Sequence, residues 1–576
     1  MKKIITKASG LVIACTTPLA MGFTFETETL NGSFDSTITA GMGLRTESRG
    51  CNLINQGPTG HNAPSGCLAQ SSGVADQGDL NYDRGDMFTN YLKGTHELLL
   101  KMPEDITFMA RGTWIRDFAA TDTTGTLSFN TPESVGSNGL SDDARDDLAF
   151  KARLLDLWVS KGFDVGGQRV RARLGNQVIN WGESLFVAGG INNTNAYDYQ
   201  ALARPGVQLK EAVLPAPMLS VASGLGSGVN VEAYYQFRWN KSELPPVGSY
   251  WSTTNALGEG RGDYGFSEKD ARDSGQWGLA LRWYAAELND TEFGLYAMNY
   301  HSRNPYYSVI AGNGLATSDP VTGRSTGYYF IDYPEDIRLY GLSFQTNIGS
   351  TSVAGELSYR PNMPLQINST DMSIAAIYPT TLFGNPIYDS GFATPRAGEV
   401  INGYVRKPVT QAQVTVTQFF DRVLAADRLT VVGEVGYNHL SGVDGDDLRY
   451  GRDAIYGIGE LPNNALCTGA LNVANPQECN SHGFYTRNSW GYRLRGILEY
   501  PNVFAGVNLK PNLAWSHDVE GYGPNFSEGA KAVSVGLDAD YQNTYTASIS
   551  YTDFFGGNYN PINDRDFLAV SFGVNF

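Results

Sequence analysis

No stretch of this chain approaches the roughly 20 consecutive apolar residues that a membrane helix requires, which excludes helical spans even though 41% of the residues are hydrophobic. Basic residues are outnumbered. With 42 Lys and Arg against 59 Asp and Glu, the net charge is −17 and there is no basic patch for nucleic acid. Histidine is scarce, and His61, His96, His301, His439, His482 and His517 sit mostly in or beside loops. None lies in a Ser- or Asp-bearing nucleophile motif, so a surface lipase or protease barrel has no visible machinery. Cysteine is rare too, and neither mature pair has the tight C-x-x-C spacing of a zinc knuckle. No metal or cofactor is called for. A repeat of 20–50 residues is lacking, which disfavours a solenoid or propeller, and no low-complexity linker divides the chain into domains.

What is abundant is glycine and aromatic side chains: 66 Gly, 32 Tyr, 27 Phe and 9 Trp, with a mean hydropathy of −0.26. These are arranged with a two-residue period, the signature of strands with one apolar and one polar face. Val229, Val231, Ala233, Tyr235, Phe237 and Trp239 alternate with Asn230, Glu232, Gln236 and Arg238. Trp277, Leu279, Leu281 and Trp283 do the same, as do Val533 to Tyr541 and Tyr545 to Tyr551. The last run places Leu568, Val570, Phe572, Val574 and Phe576 on one face. Charged residues recur on the polar faces, which a packed sandwich core would not accept. Lipid outside and water inside satisfies both faces.

The amino-terminus carries Lys2, Lys3 and Lys7, an apolar stretch from Ala8 to Ala14, and Ala20-Met21-Gly22. This predicts a secretory signal peptide over 1–22 and a mature chain over 23–576. Val12-Ile13-Ala14-Cys15 offers a looser lipoprotein site as a rival. In the mature chain Cys51 with Cys67, and Cys467 with Cys479, read as two local disulfides of an oxidising compartment. Each would close a loop of about 15 residues and constrain the unfolded chain by roughly 3 kcal/mol.

Connections alternate between short and long. Short turns fall near Met102–Asp105, Phe163–Gln168, Gly226–Gly228, Glu287–Thr291, Gly349–Thr351, Arg422–Ala426, Pro501-Asn502 and Gln542-Asn543. Between them lie polar segments 46–85, 119–148, 180–216, 240–274, 305–335, 362–408, 440–488, 517–530 and 555–564. Eight turns and nine loops predict an all-β fold: one transmembrane antiparallel barrel of 18 strands, or 16 if the weak strand near Met218–Gly224 fails. Both termini fall on the short-turn, periplasmic side. The terminal strand must then pair with Phe34–Leu44 to remove both sheet edges, and its aromatic ending, Phe572 and Phe576, reads as the assembly signal.

Alternation points Arg169, Arg171 and Arg173 into the lumen about 7 Å apart, where they either brace the barrel against Asp156 and other acids or guide anions. Arg111, Glu232, Arg282, Glu434, Arg493, Arg495, Glu499, Asp538 and Asp540 also fall on inner faces. The third long loop, 180–216, is semi-apolar and Asn-rich, so it is expected to fold back into the lumen. Its candidate constriction residues are Trp181, Glu183, Asn192, Asn195, Asp198 and Arg204. The acidic clusters at Asp142–Asp147 and Asp444–Asp447 lack the ordered spacing of a calcium loop, leaving solvated surface as the simpler reading.

The Phe34–Gly43 strand, the run from Gly175-Asn176-Gln177 to Trp181-Gly182-Glu183-Ser184, the Asn195–Asp198 stretch and the aromatic terminus together resemble a proteobacterial outer-membrane family, domain of unknown function 1302. The likeness spans nearly the whole mature chain, departing from the family where Ala196-Tyr197 replaces a Pro between Asn and Asp. It implies an outer-membrane barrel associated with export or uptake of hydrophobic compounds, alongside inner-membrane or periplasmic transporter components. It supplies no catalytic residues. The leading expectation is a passive channel for small or hydrophobic solutes in the Gram-negative outer membrane. The alternative is a non-conducting docking component of a lipid or hydrophobic-compound transport assembly. Expected partners are outer-membrane lipid, lipopolysaccharide and the barrel assembly machinery.

Overall fold

The computed structural model describes residues 22–27, 29–50, 53, 77–123, 139–311, 328–377, 398–444, 448–472 and 476–576. The expected signal peptide and the Cys51–Cys67 pair lie outside the described residues, as does His61. Among the described residues no helix is long and apolar enough to cross a membrane.

One antiparallel sheet of nineteen strands dominates, made of a short strand Phe23–Glu26 and eighteen barrel strands. They are β1 (Asn31–Arg45), β2 (Met87–Met102), β3 (Ile106–Asp117), β4 (Phe150–Val165), β5 (Gln168–Gln177), β6 (Ala216–Gly226), β7 (Val229–Gln236), β8 (Gln276–Ala285) and β9 (Thr291–Tyr300). The second half comprises β10 (Ile337–Ile348), β11 (Thr351–Gln366), β12 (Tyr404–Asp421), β13 (Arg428–Leu440), β14 (Asn488–Phe504), β15 (Val507–Glu520), β16 (Lys531–Tyr541), β17 (Tyr545–Phe555) and β18 (Phe567–Asn575). The weak strand near Met218 is present as β6.

Each barrel strand pairs with its sequence neighbour, and β18 returns to β1 in register from Thr37↔Asn575 to Arg45↔Phe567. Ser36 N donates to the Phe576 carbonyl at 2.6 Å, and Phe576 N to the Ser36 carbonyl at 2.8 Å. The strand Phe23–Glu26 pairs with Asn31–Phe34 and so extends the same edge of β1 beyond the terminal strand. Closure removes the unpaired amides that lipid would not tolerate. The outward set is apolar as alternation predicts: Trp277, Leu279, Val535, Ile549 and Phe572 are all exposed large hydrophobics.

Three boundaries differ from the sequence reading. The turn expected at Pro501-Asn502 lies at Ala505-Gly506, whose φ values of 49° and 87° suit a hairpin turn, while the Tyr500–Phe504 stretch is bulged within β14. β7 stops at Gln236, and Trp239 instead packs among loops, 4.7 Å from the Tyr333 ring. The loop expected from 362 begins later, because β11 resumes pairing with β12 at Met363 after a bulge that accommodates Pro361. Above the rim, loop segments Ser267–Lys269, Tyr328–Asp332, Tyr306–Ile310 and Val400–Ile401 form a four-stranded cap sheet. The loop containing Cys467 and Cys479 is closed by their disulfide.

Because Phe576 joins β1 through its backbone while its ring lies at the barrel's end, Phe576→Lys should lower the amount of heat-modifiable, folded barrel recovered from outer membranes. Conductance per folded molecule should stay unchanged. Equal recovery of variant and wild type would remove the assembly role.

Candidate functional site

The segment between β5 and β6 is fastened to two opposite sides of the barrel. On one side two wall carboxylates, both buried, serve as acceptors for its backbone. Glu434 on β13 accepts from Leu185 N at 2.6 Å, Phe186 N at 3.1 Å and Val187 N at 2.6 Å, and also from Ser184 Oγ and Thr415 Oγ1. Glu356 on β11 accepts from Glu183 N at 2.6 Å and Ile191 N at 2.9 Å, with Gln413 Nε2 completing its shell. Gly190 is required here, since a Cβ would run into Glu356 Oε1. On the other side Lys93 of β2 pairs with Glu211, and Tyr91 donates to the Pro205 carbonyl. Gly206 lies against Ser571 of β18. The chain from 183 to 211 therefore crosses from β11–β13 to β18, β1 and β2.

Between these anchors the segment presents an apolar side. Trp181, 1% exposed, and Ile191 pack into a cluster with Tyr234, Tyr296, Met298 and Leu339 from the inner wall. The Trp181 indole donates to Glu232 at 2.8 Å, so its polar handle is satisfied as burial demands. Backbone amides bound to ionised carboxylates are the stronger class of hydrogen bond, about 1.5–3 kcal/mol each.

The expected constriction residues divide by role. Asn195 bonds the Ile179 backbone at both its N–H and C=O, and Asn192 donates to Asn180. Asp198 caps the turn Tyr199–Leu202 through Ala201 N at 2.8 Å and pairs with Arg153 at 3.2 Å. Arg204 is buried. Burial pushes the Glu183 carboxyl up to about 7, with the Glu356 and Glu292 carboxylates adding to the effect.

The arginine row is not one unit. Arg169 and Arg171 both pair with Asp105 of the short turn between β2 and β3, an acid the sequence reading missed, and Arg169 also meets Asp164. Arg173 stacks over the Trp158 ring at 4.3 Å and has no ion pair among the described residues. Asp156 pairs with Arg111 at 2.6 Å rather than with the row. Glu356 and Glu211 were also missed. Glu356 alternates with Val353, Gly355 and Leu357 in the pattern that placed Glu434 inward, so the signal for it was present. The first acidic cluster forms the helix Asp142–Ala149, capped by Ser141, with Asp142 on Arg145 and Asp147 on Lys151.

Three histidine side chains have hydrogen-bond partners among the described residues, His439 meeting Asn488 Oδ1 at 2.8 Å. His301 is fully buried, accepting from Asp336 N at Nδ1 and bonding the Ser274 carbonyl through Nε2. His96 lies in β2, not in a loop, 2.9 Å from Ser36 Oγ. Its Nε2 accepts from the Trp114 indole at 3.1 Å, so Nδ1 carries the proton and donates to Ser36. That tautomer cannot deprotonate the serine.

A sequence profile of the family described as proteins of unknown function, DUF1302, matches residues 3–576. The chain belongs to that family. Among curated proteins none matches it. Three solved structures follow a similar course at low similarity. Acinetobacter baumannii OccAB1 is 10% identical at a TM-score of 0.41, covering 95% of this chain and 96% of its own. Pseudomonas aeruginosa OccK1 (OpdK) is 10% identical at 0.38, covering 95% and 98%. Salmonella typhi OmpF in complex with daunomycin is 9% identical at 0.33, covering 96% and 100%.

Glu434→Gln keeps the size of the side chain but replaces its charge with an amide that can accept at only one atom. Residues 184–190 should become cleavable by protease in the folded barrel, with a stability loss of about 2 kcal/mol. Protection equal to wild type would show that the carboxylate does not hold the segment.

Proposed function

We infer that this protein is a passive outer-membrane channel in which the segment 180–216 sets the bore of a hydrated lumen for small solutes. The observation that carries this reading is the pair of wall carboxylates, Glu356 and Glu434, that accept backbone amides of a chain segment crossing the barrel. Carboxylates buried against backbone N–H groups hold that chain at a defined place, which is what a fixed aperture needs. Passage is diffusive, down the solute's own gradient. Selectivity comes from the aperture and from the charge beside it: of the expected constriction residues Glu183 and Asn192 are part-exposed, while the buried Trp181, Asn195, Asp198 and Arg204 hold the shape of the segment. Around the outer face the partners are outer-membrane lipid and lipopolysaccharide.

Within the arginine row the roles separate. Arg169 and Arg171 share Asp105 and brace the periplasmic turn, so their field is largely cancelled. Arg173 has no ion pair among the described residues, although Glu232 and Asp156 act on it at longer range, and it is the residue that attracts anions. In planar bilayers the purified protein should conduct, and Arg173→Gln should reduce anion preference more than Arg169→Gln or Arg171→Gln. A bilayer that stays closed to ions and solutes would overturn the channel in favour of a docking barrel that works with other transport components.

Glu183 supplies a pH dependence. Its folded-state value of about 7 lies above the ordinary 4.5, so the folded protein holds the proton more tightly than the unfolded chain. Stability from this group is greatest at low pH and declines as pH rises from 4.5 through 7. The carboxylate appears over the same upper range. Cation preference should therefore increase with pH around a midpoint near 7 in the wild type and stay flat there in Glu183→Gln. Matching titrations in the two proteins would assign the change to another group.

A further inference from the structure

We propose that the outer wall of the barrel seats one acyl chain of lipopolysaccharide, in a groove on the lipid face of β8–β11 whose floor is Ala297. The strand register lays the groove out in rows. Leu279 on β8 stands beside Ala297 on β9, Ala297 beside Tyr340 on β10, and Tyr340 beside Tyr359 on β11. One row nearer the short turns come Leu281, Leu295, Leu342 and Leu357. Ala297 is the small residue among large, outward-facing ones. It leaves a hollow of about 500 Å³, open to the lipid side and lined by apolar and tyrosine side chains. The ridges on β8 and β10 stand two strand spacings apart, roughly 10 Å, so a hydrocarbon chain lies lengthwise between them.

The row on the other side of Ala297 identifies the occupant. About 7 Å along the strands it reads Trp277, Asn299 and Arg338. Apolar rows thus give way at one level to an aromatic, an amide and a cation, which is the order of a membrane interface. That level adjoins the long loops, the outward end of such a barrel, so the leaflet beside it is the one built of lipopolysaccharide. Arg338 is exposed, in line with the groove, and has no ion pair among the described residues. It borders a rim cavity of about 530 Å³ with Lys269, Arg406, Asp270, Asp332, Glu335 and Asp336. Charge at this rim is balanced once Arg272, the partner of Glu335 and Asp336, is counted. Position, not surplus charge, therefore places a phosphate of the headgroup at Arg338. Within a bilayer the seated chain gains no hydrophobic free energy. It gains dispersion contact with both ridges, joined to a charge-assisted bond from the guanidinium. Behind the groove, the inward pair Tyr296 and Gly341 meets Trp181 and Ile191 of the crossing segment. The lipid outside and the segment inside bear on the same strands.

This rests on the reading of the outer face as lipid-bound and names the place where lipopolysaccharide sits. It is tested by lipid retention rather than flux, so a silent bilayer and an empty groove are separate results. The full-length protein is stripped of lipid in detergent, supplied with hexa-acylated lipopolysaccharide or phosphatidylglycerol, washed, and weighed by native mass spectrometry. The wild type should keep one tightly held lipopolysaccharide. Ala297→Leu, which fills the groove, should lower the apparent affinity at least about tenfold. Ala297→Val should lower it less, and guards against misfolding of the leucine variant. Ala547→Leu, an equivalent lipid-facing change on β17, should bind as the wild type does. Arg338→Gln should weaken retention of the phosphorylated lipid and leave that of a dephosphorylated one unchanged. Equal retention by the wild type and both Ala297 variants would overturn the seat. Phosphatidylglycerol held as tightly as lipopolysaccharide would overturn the assignment of its occupant, as would a mass of two protein copies without lipid that Ala297→Leu reduces to one.

Discussion

Backbone polar groups that cannot reach water must find partners in the chain, and the architecture follows from that constraint. In the wall it is met by pairing every strand with two neighbours until β18 returns to β1. The strand Phe23–Glu26 continues the same edge of β1 where β18 ends. Inside the barrel the constraint recurs on a smaller scale. A segment threaded through the interior has amides with no sheet to join, and Glu356 and Glu434 serve as their acceptors.

The interior consequently has two characters. Around Trp181 and Ile191 it is a packed core shared by the segment and strands β6–β10. Elsewhere it is a polar surface cross-linked by ion pairs such as Arg111–Asp156 and Arg493–Asp518. Packing holds the segment's position, while Glu183 keeps a part-exposed carboxyl at the crossing. Burial raises the proton affinity of that carboxyl, so it responds to pH.

The loops above the rim are similarly built rather than loose. Arg45 and Arg565, both fully buried, meet Asp79 and Asp564 where the first and last loops join over the β1–β18 seam. A second cluster, including Leu365, Ile401, Leu440 and Tyr450, packs three other loops together under the cap sheet. Long connections that read in sequence as polar segments thus carry their own cores.

Strand number, turn placement, the lipid-facing residues and the β1–β18 closure were legible in the sequence, because a two-residue period is a local property set by each strand's own residues. The same alternation placed Glu434 and Arg173 inward. It could not say what they would touch. Whether Arg169 and Arg171 meet Asp156 or Asp105 depends on side chains 64 or more residues apart that only strand register and loop course bring together. The boundary at Ala505-Gly506 escaped for a related reason, since a bulge breaks the period that marks a strand. Alternation determined that there is a barrel with a wet interior; the tertiary fold alone decided that one segment crosses it and which charges stand beside that crossing, because those choices rest on contacts that no local pattern encodes.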